Sequence, residues 1–171
     1  MRLPILFLSI CCCLSLNSLS AQKAMSNKKM GKILEARASA LEGEAGSWQV
    51  FIHDHVLLVV TDEKNNRMRI FTPIMEESEL EKKQLRNMLI ANFHTALDAK
   101  YSIYEGFVIS IFTHPLKELT EWQLVDALSQ VAKLADNFGT TYSSTDLIFG
   151  GKEEEIEQKR LNQSPSKGKR S

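Results

Sequence analysis

Residues 48–72 read WQVFIHDHVLLVVTDEKNNRMRIFT. Three short β-rich runs, Trp48 to His53, Val56 to Thr61 and Arg67 to Thr72, are separated by His53-Asp54-His55 and by Asp62-Glu63-Lys64-Asn65-Asn66, polar residues of the kind that reverse a chain. The stretch reads as an antiparallel meander, and Pro73 is expected to stop its third strand because proline cannot donate to a ladder. In the second strand Val56, Leu58 and Val60 point to one face while Leu57 and Val59 point to the other, so neither side of the pleat is polar. Such a strand needs cover on both faces.

Working outward from the meander, residues 76–99 place Leu80, Leu85, Met88, Leu89, Phe93, Ala96 and Leu97 at the spacing of one long amphipathic helix from Glu76 to Ala99. Glu76, Glu77 and Glu79 stand in its first turn, where the macrodipole favours acids. Tyr101 to Tyr104 and Phe107 to Phe112 then form two strands joined by Glu105-Gly106, the chemistry of a tight hairpin. Thr120-Glu121-Trp122-Gln123 has the layout of a capping box and opens a helix expected to run Trp122, Val125, Leu128, Ala132 and Ala135 down one face to Phe138-Gly139. Upstream, residues 27–42 put Met30, Ile33, Leu34 and Leu41 on one helical stripe, which Gly43 and Gly46 close. The order is α-β-β-β-α-β-β-α, with Asp146 to Phe149 as a terminal strand or extended cover. The class is α+β: a curved antiparallel sheet of about five strands with helices on one face.

The chain of 171 residues is 43% apolar and 25% charged, which fits one globular domain rather than a disordered polymer. Lys+Arg and Asp+Glu are both 21, so no net charge marks it for nucleic acid or an anionic membrane surface. Residues 1–21, MRLPILFLSICCCLSLNSLSA, resemble a secretory signal: Arg2 is a basic n-region and the apolar run is short for a transmembrane helix. Cleavage after Ser20 or Ala21 is expected, and Ile10 before Cys11 argues against lipidation. Cys11, Cys12 and Cys13 are the only cysteines and leave with the leader, so the mature protein is expected to lack disulfides, cysteine-ligated zinc and cysteine nucleophiles. Export to the periplasm or exterior, with no stable membrane insertion after cleavage, follows as the expectation. The domains are then 1–21 signal, 22–150 α+β domain and 151–171 a disordered tail without apolar periodicity.

If three helices cover one face of so small a sheet, apolar side chains are left on its back. Phe51, Leu57, Val59, Phe71, Val108 and Phe112 are the candidates for a polypeptide-binding or dimer surface. The alternative is that the second strand is central and that residues 142–149 or the first helix cross over it.

Chemistry is harder to find. His53-Asp54-His55 alone invites a metal, since alternate strand positions point both rings to one side, but no third or fourth ligand stands at a recognised spacing. Two ordinary histidines in a turn are the simpler reading, and a small periplasmic metal-binding protein or enzyme is the alternative function. There is no Gly-x-Ser-x-Gly elbow, no Ser-x-x-Lys and no phosphate-cradling loop. No cofactor, no metal and no catalytic residue is assigned. Arg67 and Arg69 alternate with Met68 and Ile70, which admits an acid-binding pair as well as an ordinary solvated strand face. The tail residues Lys167, Lys169 and Arg170 would suit contact with anionic polymers in a structural envelope component.

The element order, together with Asn66-Arg67-Met68-Arg69-Ile70, Ala91-Asn92-Phe93 through Asp98-Ala99-Lys100-Tyr101, His114-Pro115-Leu116 and Phe138-Gly139-Thr140-Thr141-Tyr142, resembles the Tir chaperone-like superfamily. That group includes type III secretion chaperones and YbjN-like proteins, and the likeness spans most of residues 28–150. It implies a non-enzymatic protein that forms homodimers through the long middle helix, here with Leu85, Met88, Leu89 and Phe93, and binds extended polypeptide on apolar surfaces. Secretion chaperones work in the cytoplasm. This chain has a leader of its own, so the implied role is a protein-binding scaffold relocated to the periplasm or exterior.

Overall fold

The computed structural model describes residues 24–52 and 54–145. The expected signal, the tail and the terminal strand at 146–149 lie outside the described residues, as does His53. The chain order is α1 (Asn27–Arg37), β1 (Ala40–Glu44), β2 (Ser47–Ile52), β3 (His55–Asp62), β4 (Arg67–Glu76), a 3-10 turn (Glu77–Glu79), α2 (Lys82–His94), β5 (Lys100–Tyr104), β6 (Phe107–His114) and α3 (Glu121–Asp136). The strands form one antiparallel sheet in the order β1-β2-β3-β4-β6-β5. The fold is α+β, with one strand more than the sequence suggested.

That strand is β1, where a continuation of the first helix to residue 42 was expected. α1 starts at Ser26, whose hydroxyl accepts the Lys29 N–H at 3.3 Å, but stops at Arg37. Both the N–H and the hydroxyl of Ser39 donate to the Phe51 carbonyl, at 2.8 and 2.9 Å, and this locks the chain into a strand against β2. Gly43 and Gly46 therefore serve the β1–β2 hairpin and do not cap a helix. Gly43 has φ +99°, and a Cβ there would lie 2.3 Å from the Ser47 carbonyl oxygen. Gly43→Ala should lower the unfolding free energy by about 1–3 kcal/mol, read by urea denaturation.

Pro73 does not end its strand either. β4 runs on to Glu76, with a register shift between Pro73 and Met75, and a bulge is a place where a sheet tolerates proline. The pairing of β3 with β4 ends at Leu58 with Phe71, and the Thr72 hydroxyl takes over by donating to the Val56 carbonyl at 3.0 Å. Because Glu76 pairs with Phe107, the middle helix is shorter than the expected 76–99. It begins at a capping box of Glu81 and Gln84 and ends at Thr95. Asn92 fixes the exit by exchanging hydrogen bonds with the Tyr101 backbone at 3.1 and 2.7 Å. Lys100 Nζ donates to the carbonyls of Asn92 and Leu97, and burial holds this ammonium below the ordinary lysine range.

Two local expectations hold to the residue. Glu105 and Gly106 have φ of +49° and +80°, the left-handed pair of a type I′ turn. Thr120 and Gln123 exchange the capping-box bonds at 3.0 and 2.9 Å. α3 lies across β3, β4, β6 and β5 and buries Leu124, Ala127, Leu128, Val131 and Leu134. α1 packs on α3 and β1, and α2 packs on β5 at the edge of the sheet. Tyr101 joins sheet to helix: its hydroxyl donates to the Leu134 carbonyl at 2.7 Å, its ring meets Phe138 and Tyr142 edge-on, and burial pushes its phenol well above the ordinary range.

Candidate functional site

Strand register decides which side chains the helices cover. Trp48 pairs with Val59, Val59 with Ile70, and Ile70 with Phe112. Val50 pairs with Leu57, and Thr72 with Ser110, on the same side of the sheet. All these side chains are buried, and they form the floor on which α3 and α1 rest. The other side carries Phe51 opposite Val56, Leu58 opposite Phe71, and Phe71 opposite Ile111, with Val60, Ile109, Phe107 and Tyr104 in adjoining rows. Phe51, Leu58, Phe71 and Ile111 are half-buried, while Val56, Val60, Tyr104 and Phe107 are exposed. Ile109 is buried yet stands apart from the main core. Phe71 and Tyr104 meet edge-on at 6.0 Å between centroids.

The six side chains expected on a spare sheet face are thus divided. Phe51 and Phe71 lie on the open face. Leu57, Val59, Val108 and Phe112 lie in the core on the helix side, a correction that follows from register: Phe51 is opposite Val56, not Leu57, and Phe71 is opposite Leu58, not Val59. Leu58, Ile111 and Tyr104 join Phe51 and Phe71 on the open face, outside the set expected there. The alternation of β3 and β6 contained that signal, but only the pairing says which phase faces the helices.

The second apolar surface is on α2. Leu85, Leu89 and Phe93 recur at intervals of four residues along one side, and Leu89 and Phe93 are 64% and 72% exposed. Beside them runs a groove of about 420 Å³ lined by Lys82, Leu85, Arg86, Leu89 and Ile90. Met88, expected in the same stripe, points the other way and is buried with Ala91 in the core.

Of the histidine cluster, His55 makes a contact between elements. His55 Nε2 lies 2.7 Å from Asp136 Oδ1, which ties the start of β3 to the last residue of α3. Among the described residues no group of three or more His, Cys, Asp or Glu is placed to hold a metal ion. Among them also, no helix is long and apolar enough to cross a membrane.

No family model matches the chain, and no curated protein matches it. Solved structures do. A chain of the HopA1–SchA chaperone–effector complex superposes with a TM-score of 0.51 at 12% identity, covering 66% of this chain and 94% of that one. A chain of the complex of the Yersinia pestis type III secretion chaperone SycH with a stable fragment of YscM2 gives 0.48 at 14% identity, covering 63% and 98%. The ExsC–ExsE complex gives 0.47 at 14% identity, covering 64% and 90%. With its six-stranded open antiparallel sheet and three helices, this chain has the type III secretion chaperone-like fold.

Proposed function

We propose that this chain is an exported, non-enzymatic, chaperone-like protein that holds a polypeptide partner on the open face of its sheet and pairs with a second copy through α2. The observation that carries this reading is a pair of apolar surfaces that the protein's own described elements do not cover. One is the sheet face around Phe71, Leu58, Phe51 and Ile111, and the other is the Leu85-Leu89-Phe93 stripe. Contiguous apolar patches of this kind characterise interaction surfaces. The HopA1–SchA neighbour, a chaperone–effector complex, supports a polypeptide as the class of partner. The likeness of residues 1–21 to a secretory signal supports action in the periplasm or exterior.

The direct test uses a permanently unfolded probe, fluorescently labelled reduced and carboxymethylated lactalbumin, with the dye ANS as a second reporter. Saturable probe binding and ANS enhancement are expected, both falling at least about tenfold in Leu58→Asp/Phe71→Asp, because a charge replaces an apolar contact on each strand. A protein that binds neither reporter lacks the proposed surface.

A further inference from the structure

We propose that the segment held on the open sheet face carries a carboxylate, and that Arg67 and Arg69 select it. The inference rests on the polypeptide-holding function above and specifies the chemistry of what is held.

At the β3–β4 end of the open face lies a cleft of about 590 Å³, lined by Val60, Asp62, Arg67, Arg69, Thr113 and Pro115 among others. Arg69 stands in register between Val60 and Thr113, and Arg67 is opposite Asp62 on the same face. The acids close by, Asp62 and Glu118, accept from neutral amides and keep their charge, but form no ion pair with either arginine. Arg69 is set opposite Val60 and Thr113, away from Asp62. The Asp62 carboxylate accepts the Asn65 N–H and side-chain amide at 2.9 and 2.7 Å, which holds it below the usual carboxylate range. Glu118 accepts the Asn66 amide at 2.8 Å and is lowered by it. Among the described residues, the ion pairs within 4.0 Å are Arg37 with Glu121 and His55 with Asp136, and neither involves this cleft. Arg67 donates from Nη1 to the Asn66 carbonyl at 3.1 Å and makes no ion pair there.

Two cations without a carboxylate partner thus border an apolar strip. Along β4 the next residue on the face after Arg69 is Phe71, flanked by Leu58 and Ile111. An extended ligand repeats its same-side side chains about every 6.8 Å, the interval that separates Arg69 from Phe71 on their own strand. A segment with an acidic residue two positions from an apolar one therefore meets both at once. Guanidinium groups suit this task because their planar donors engage a carboxylate in two hydrogen bonds.

The test uses the purified full chain and three labelled decapeptides, Val-Thr-Val-Thr-Glu-Val-Glu-Thr-Val-Thr and the same sequence with both Glu replaced by Gln or by Lys, so that each varied position stands two residues from a valine. The Glu peptide should bind about tenfold tighter than the Gln peptide, the size expected from two partly exposed ion pairs, and the Lys peptide should bind most weakly. Raising salt from about 0.05 to about 0.5 M should remove the preference. Arg67→Gln/Arg69→Gln, with an unchanged melting curve, should bind the three alike. Equal binding of the three to the wild-type protein overturns the inference and leaves the holding function standing, whereas no binding by any peptide counts against both. Saturable binding of inorganic phosphate with no preference among the peptides makes the cleft a free-anion site and likewise overturns it.

Discussion

Truncation of Leu57 to alanine is expected to lower the unfolding free energy by about 3 kcal/mol, while Leu58→Ala, one residue further along β3, lowers it by less than about 1 kcal/mol. The two substitutions remove the same atoms from the same strand. Leu57 is fully buried opposite Val50, on the side where α3 crosses the sheet, so its loss leaves a cavity among packed neighbours. Leu58 is half-buried between Gln49 and Phe71 on the open face, where water fills the space. Urea denaturation at one fixed protein concentration reads both values, since association also stabilises the folded state. Equal costs for the two variants would show that both faces are roofed and would remove the basis for docking on either.

The largest expected change in assembly comes from Leu89→Glu/Phe93→Glu on α2. These side chains are the most exposed of the stripe, so their replacement leaves the fold of the monomer intact, and the thermal transition falls only by the stabilisation that association had given. In a two-fold dimer each substitution occurs twice across the interface, and each large apolar group withdrawn from water contributes about 1.5–3 kcal/mol. The dimer dissociation constant should therefore rise by more than about 100-fold. Sedimentation equilibrium gives the result, with a dimer for the wild type and a monomer for the variant at the same concentration. A wild-type monomer at all concentrations, or a variant dimer, would discard α2 as the interface. Met88→Ala provides the contrast: this side chain faces the core, so its loss should appear as instability and not as dissociation.

Much of the local structure was legible because it depends on neighbours in the chain. The Thr120-to-Gln123 capping box and the Glu105-Gly106 turn need only a few residues to satisfy their own geometry, and both stand where the sequence puts them. The errors fall where distant partners win. Ala40, Leu41 and Glu42 suit a helix, yet they become a strand because β2 offers hydrogen bonds to an unpaired edge, beginning with Phe51 to Ser39. Glu76 suits a helix start, yet it is drawn into β4 by its pairing with Phe107. Acidic residues at a helix start contribute only about 0.3–1 kcal/mol, which a ladder of strand pairs readily exceeds.

The candidate surfaces show the same division. Alternation in β3 and β6 fixed by itself that Val56, Leu58 and Val60 share one side and Leu57 and Val59 the other, because successive side chains on a strand point oppositely. The stripe of Leu85, Leu89 and Phe93 followed from helical period in the same way. Which side of the sheet lies under α3, and that Phe51 and Phe71 stand with Leu58 and not with Leu57, was settled only by the tertiary structure. Strand register and helix placement are choices between segments far apart in sequence, and a shift of one residue in pairing exchanges every buried side chain for an open one.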